Sequence, residues 1–134
     1  MADFIHSPVI LGGLRVLTGD VLDVAVGRRL RLHLAGIETP QFHQAGQQLA
    51  AMVARAHVRK WLGEAERGGH RLIVRVPQSW PPWRLEGDIY LYREECEESL
   101  AAYLLAVGVA VVREPGRRHH WTDEELRAIE ATAP

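Results

Sequence analysis

Val21-Leu-Asp-Val-Ala-Val-Gly-Arg-Arg-Leu-Arg-Leu-His-Leu-Ala35 alternates with period two almost without interruption. Leu22, Val24 and Val26 fall on one face, and Asp23 and Ala25 on the other. After Gly27-Arg28, Leu30, Leu32 and Leu34 face one way while Arg29, Arg31, His33 and Ala35 face the other. Alternation of this kind marks half-buried strands, and Gly27-Arg28 between the two runs supplies a tight hairpin turn. An earlier strand over about 9–17, bulged at Gly12-Gly13, completes a three-stranded meander.

After Pro40 the period lengthens. Leu49, Met52, Val53, Ala56 and Lys60/Trp61 follow the i, i+3, i+4, i+7 spacing, which predicts an amphipathic helix over about 46–62. Gly68-Gly69 leads into a strand over 71–76, residues 77–82 form a loop, and a fifth strand spans about 84–92. A second helix over about 99–107 stops at Gly108, a natural position for a left-handed cap. Thr122-Asp-Glu-Glu125 is a capping box that opens a short terminal helix. The order βββ-α-ββ-α-α gives an α+β, mainly β class. Five short strands with a helix after the third suit a Greek-key barrel of OB type with two to three helices. With no internal repeat, linker or low-complexity tract, residues 9–134 read as one domain behind an N-terminal extension, 1–8.

The chain of 134 residues is 47% hydrophobic and 25% charged, ordinary for a globular protein, and long enough to bury a core without disulfides. Its one cysteine, Cys96, excludes an internal disulfide and a cysteine-based zinc site. Neither a secretory leader nor a membrane span is evident, so the expected location is cytoplasmic, without membrane insertion. The net charge of −1 argues against a strong non-specific grip on nucleic acid. Residues 1–92 carry a net +3 and residues 93–134 a net −4. Much of the acidity lies in Glu94, Glu95, Glu97 and Glu98, read as a solvated turn.

Two stretches carry a family likeness. Val16-Leu-Thr-Gly-Asp20, followed by Leu32-His-Leu-Ala-Gly-Ile-Glu-Thr-Pro-Gln41, resembles the thermonuclease (staphylococcal nuclease-like) signature, a V-x-D-G-D turn and then R-L-x-G-I-D-x-P-E. Arg84-Leu-Glu-Gly-Asp-Ile-Tyr-Leu91 is similar to that family's G-R-x-L-G-x-V-Y-x. Ser99-Leu-Ala-Ala-Tyr-Leu-Leu-Ala-Val-Gly-Val-Ala110 resembles its S-L-N-x-x-L-V-x-x-G-x-A. The resemblance spans about 9–131 and implies the OB-type barrel. It also implies a Ca²⁺-dependent phosphodiester hydrolase, in which carboxylates hold the cation and two arginines neutralise the transition state.

Taken position by position, the likeness implies a degenerate site. Asp20 and Glu38 stand at metal-binding acids, and Thr39 matches beside them, whereas Thr18 replaces the other acid of the first turn. Gln41 replaces the glutamate that handles water; an amide orients water but does not take its proton at neutral pH. His33 replaces the first arginine and lacks the planar fork that grips two phosphate oxygens. Arg84 matches the second arginine. Losing one electrostatic donor at such a site costs ~100- to 1000-fold in rate.

Outside that site, Trp80-Pro-Pro-Trp83 replaces a charged, glycine-containing loop of the family with two rigid apolar faces, which suits either a protein interface or packing on the barrel rim. Arg113-Glu-Pro-Gly-Arg-Arg-His-His-Trp121 reads as a solvent loop with Trp121 beneath the terminal helix; arginine with indole also suits nucleic-acid contact. The expected function is a nuclease relative turned pseudoenzyme, a binding or accessory-subunit module docking a protein partner or larger assembly through Trp80 and Trp83, with no cofactor. The alternative is a weak or altered metal-dependent phosphodiesterase on DNA or RNA, using Asp20, Glu38 and Arg84 with His33.

Overall fold

A computed structural model of the chain describes residues 4–8, 15–26, 28–77, 85–93 and 96–134. Strands β1 (Phe4–Pro8), β2 (Arg15–Val16), β3 (Val21–Val26), β4 (Arg28–Leu34) and β5 (Ile37–Glu38) precede helix α1 (Gln48–Arg67). Strands β6 (Arg71–Pro77), β7 (Leu85–Arg93) and β8 (Cys96–Ser99) then lead to α2 (Leu100–Val107), and β9 (Val111–Val112) and α3 (Asp123–Glu130) follow. The main sheet runs β1-β6-β7-β4-β3-β2, with β8 also beside β7. Its pairs are antiparallel except β4 with β7, which are parallel from Leu32↔Leu85 to Leu34↔Gly87.

The chain is thus α+β and mainly strand. Among the described residues the sheet is open rather than a closed barrel. Its two ends, β1 and β2, are separated in sequence by residues 9–14, which lie outside the described residues together with Gly12-Gly13. Residues 4–8, which the sequence places in an extension, pair with β6 from Phe4↔Pro77 to Pro8↔Ile73. The expected antiparallel pairing of β3 with β4 is present; of the expected turn, Gly27 lies outside the described residues and Arg28 belongs to β4, paired with Val26. The alternation is real: Leu22, Val24, Leu32 and Leu34 are buried, while Arg31 on the opposite face is exposed.

Helix α1 corrects one reading. Leu49 and Met52, expected on its buried face, are 55% and 51% exposed. The helix instead buries Ala50, Ala51, Val53, Ala54, Val58 and Trp61. Close approach selects that face: a Cβ on Gly19 would lie 2.8 Å from the Ala54 Cβ. The turn before β3 and the alanine stripe touch where no larger side chains would fit. His57 is also buried, and its Nε2 lies 2.9 Å from the Thr132 carbonyl oxygen, so the ring donates to the chain just beyond α3.

The acidic stretch is corrected as well. Cys96–Ser99 is a strand rather than a turn, pairing with β7 from Tyr90↔Ser99 to Arg93↔Cys96. Glu97 meets the Arg75 guanidinium and accepts from the Tyr92 hydroxyl at 3.0 Å. Glu94 and Glu95 lie outside the described residues.

Helix α2 begins as expected, with the Ser99 hydroxyl accepting from the Ala102 N–H, and ends at Gly108 with φ of 86°. Asp88 reinforces this start from β7: its carboxylate accepts from the N–H groups of Ile89 (2.8 Å) and Ala101 (3.1 Å) and from the Ser99 hydroxyl. Burial pushes the Asp88 carboxyl above its usual value, against the pull of those hydrogen bonds. The stability this group contributes is therefore fully present below its unfolded pKa and is lost as pH rises through the raised native value. Asp88→Asn, which retains an acceptor for the two N–H groups, should gain on the wild type as pH rises from about 3.5 to 7 in urea unfolding. Parallel pH profiles for the two proteins would contradict this.

Candidate functional site

The turn 17–20 sets Asp20 at the mouth of the β3–β4 hairpin. The N–H groups of Leu17 and Thr18 donate to the Val21 carbonyl at 3.0 and 3.1 Å, and Leu34 N–H donates to the Asp20 carbonyl at 2.8 Å. Three side chains then converge on one oxygen. The Thr18 hydroxyl (2.8 Å), the Thr39 hydroxyl (3.1 Å) and the Gln41 amide Nε2 (3.1 Å) all reach Asp20 Oδ1. Gln41 Nε2 also donates to the Thr39 carbonyl at 2.9 Å. With two acceptors against that atom, the amide orientation is determined: reversing it would set oxygen against oxygen twice. Thr39 is 1% exposed, so its hydroxyl needs the partner it has.

Gln41 is held from its other side too. Its N–H donates to Gln47 Oε1 at 3.0 Å, and Gln47 is the residue that opens α1. Residues 41–47 thereby close into a compact loop, with the Arg55 guanidinium 4.6 Å from the centre of the Phe42 ring.

Glu38 points its chemistry elsewhere. It sits on β5, paired with β9 through Ile37↔Val112 and Glu38↔Val111, a two-stranded ladder that the sequence reading lacks. Its Oε2 accepts from the His119 N–H at 2.9 Å. His119 Nε2 lies 2.9 Å from Glu125 Oε2, and its ring meets Trp121 edge-on at 4.5 Å. Glu125 completes the Thr122 capping box of α3. A continuous hydrogen-bonded path thus joins Glu38 to the N-terminus of the last helix.

His33 is half-buried on β4, in register with Val21 on one side and Glu86 on the other. Glu86 also meets Arg113 at 3.5 Å, from the segment after β9. Arg31 lies 3.7 Å from Asp23, its cross-strand partner, which accounts for it without a ligand. Arg84, Trp80 and Trp83 lie outside the described residues.

The structure thus brings Asp20, Thr39 and Gln41 together and turns Glu38 toward His119. These residues do not fit the calcium ion that the sequence resemblance implies. A hard cation takes oxygen lone pairs from several ligands, whereas the groups nearest Asp20 Oδ1 present two hydroxyl protons and an amide N–H. Among the described residues no group of three His, Cys, Asp or Glu side chains converges to hold a metal ion.

Sequence reasoning missed the Glu38–His119–Glu125 path. The capping box at Thr122 was its only visible portion, because the other links join residues far apart in the chain. Between residues 38–47 and 118–126 lies a cleft of about 450 Å³, walled by Gln41, Gln44, Gln47, Arg118, His120 and Trp121, among others. A second hollow of about 330 Å³ shares Glu38, Arg118, His119 and His120 with it. No protein-family model matches this chain, and no curated protein matches it either. Among the described residues no helix is long and apolar enough to cross a membrane.

Two outcomes follow. Gln41→Glu sets a second carboxylate against Asp20 Oδ1 and the Thr39 carbonyl, and should cost about 1–3 kcal/mol at neutral pH. Calcium at millimolar concentration should restore part of that loss in the variant and leave the wild-type melting temperature unchanged; a calcium-stabilised wild type would contradict the hydrogen-bonded reading. Separately, the hydrogen bond from the Thr122 N–H, with help from His119, holds the Glu125 carboxyl below its usual value. Its contribution is present above the unfolded pKa and is lost as pH falls through the lowered native one. Glu125→Gln should therefore flatten the acid limb of thermal stability below about pH 5, measured against the wild type.

Proposed function

We propose that this chain is an OB-type, thermonuclease-like domain whose active-site positions serve as structural ties, and that it acts as a binding or accessory-subunit module for a protein partner in the cytoplasm. The OB-type assignment is supported by the parallel β4–β7 pairing beside antiparallel neighbours, and by the six residues that separate β1 and β2, the two ends of the sheet path. The signature-like stretches around Asp20 and Glu38 support the family reading.

One observation carries the functional reading: the Gln41 amide is bound to both Asp20 and the Thr39 carbonyl. The residue at the water-handling position is thus a crosslink, and it donates hydrogen to the carboxylate that a metal would need. The engagement of Glu38 with the His119 N–H adds to this. A base for water and a cluster of anionic ligands are the two things metal-assisted phosphodiester hydrolysis asks for, and both positions are occupied by other work. The slightly acidic net charge of −1 fits a protein partner better than a long nucleic acid.

The test is hydrolysis of single-stranded DNA and RNA with Ca²⁺, Mg²⁺ or Mn²⁺, beside an Arg84→Ala variant. The expected result is a background rate, identical for the two proteins with every metal. Metal-dependent cleavage that disappears in Arg84→Ala would overturn the module reading and establish a phosphodiesterase.

A further inference from the structure

Residues 117–121 lie between β9 and α3 without regular secondary structure, and their side chains divide two ways. His119 turns inward, half-buried, onto Glu125 and Trp121. Its neighbours Arg118 and His120 are exposed and line both hollows beside Glu38. Neither has a hydrogen-bond or ion-pair partner among the described residues, whereas Arg113 meets Glu86 and Arg117 meets Glu114. The segment is anchored from beneath, because the His119 N–H is held by Glu38 and its ring by Glu125. Two cationic or protonatable groups are thus presented from a fixed backbone. Across the cleft stand the amides of Gln44 and Gln47, which offer both donors and acceptors.

We infer that the cleft between residues 38–47 and 118–126 binds an acidic peptide segment, with Arg118 and His120 receiving a carboxylate and the glutamine wall meeting the peptide backbone. The inference rests on the module reading above and gives the partner a chemistry. Guanidinium matches carboxylate as a planar two-pronged donor. The same cleft argues against a phosphate polymer. Glu38 and Asp123 also line it, Glu38 already holding the His119 N–H, so the cleft offers one pair of unpaired basic groups and no continuous basic track for a run of phosphates. A single carboxylate needs only the pair.

The experiment uses the full chain and fluorescence anisotropy. The probes are a labelled peptide of Glu, Gly and Ser, its counterpart with Gln for Glu, and a labelled oligo-dT. The Glu peptide should bind saturably, and the Gln peptide and oligo-dT at least roughly tenfold more weakly, the usual scale for a charge-assisted hydrogen bond. Arg118→Ala and His120→Gln should each weaken the Glu peptide by roughly tenfold, while Arg127→Ala, on the exposed face of α3, should leave it unchanged. Thermal melts establish that each variant is folded; both target side chains are exposed and outside the capping box. No saturation by the Glu peptide at millimolar concentration overturns the inference. So does tighter binding of oligo-dT, or Glu-peptide binding indifferent to Arg118→Ala. These failures leave the module reading intact, since that reading falls only on metal-dependent hydrolysis.

Discussion

Asp20 Oδ1 is the point on which this site depends. It accepts from Thr18 in its own turn, from Thr39 just after β5, and from Gln41 in the loop before α1. Three separate pieces of chain are referenced to one atom. A carboxylate surrounded by donors is stable as a charge, and removing it would take this acceptor from two hydroxyls and leave the Gln41 amide only the Thr39 carbonyl. The tight fit of Gly19 against Ala54 and Thr39 brings α1 to the same place, so the helix, the turn and the loop share one anchor.

From that anchor a second path leads to the end of the chain. Thr39 adjoins Glu38, and Glu38 holds the His119 N–H; His119 meets Glu125, which caps α3. α3 is tied a second time where His57 of α1 meets Thr132. The cleft lies between these two fixed walls, so its shape is set by the folded state rather than by a ligand. Preformed walls lower the ordering cost of binding, which is what the proposed binding role would call for.

Much of the fold was legible because it depends on local periodicity and capping. The hairpin of β3 and β4, the start of α2 at Ser99, its end at Gly108 and the capping box at Thr122 each need only neighbouring residues. The face of α1 was misread because Leu49 and Met52 outweigh alanines on any hydropathy scale, whereas packing against Gly19 rewards small size. β8 was misread because Glu97 and Glu98 look like solvent-facing turn residues. On an edge next to Arg75 and Tyr92 they suit a strand. The two-residue strands β5 and β9 are too short for any periodic signal. At the site, the sequence resemblance singled out Asp20, Glu38, Thr39 and Gln41. Their hydrogen bonds were not legible: those of Asp20 span 19 to 21 residues to Thr39 and Gln41, and that of Glu38 spans 81 residues to His119.

A double-mutant cycle between Asp20→Asn and Gln41→Leu, followed by urea unfolding in EDTA and again in calcium, tests the central claim most directly. A coupling of about 1–2 kcal/mol, the same in both buffers, is the result expected of a structural hydrogen bond. A coupling near zero in EDTA, with calcium stabilising only those proteins that keep Asp20, would show that the carboxylate is a metal ligand after all.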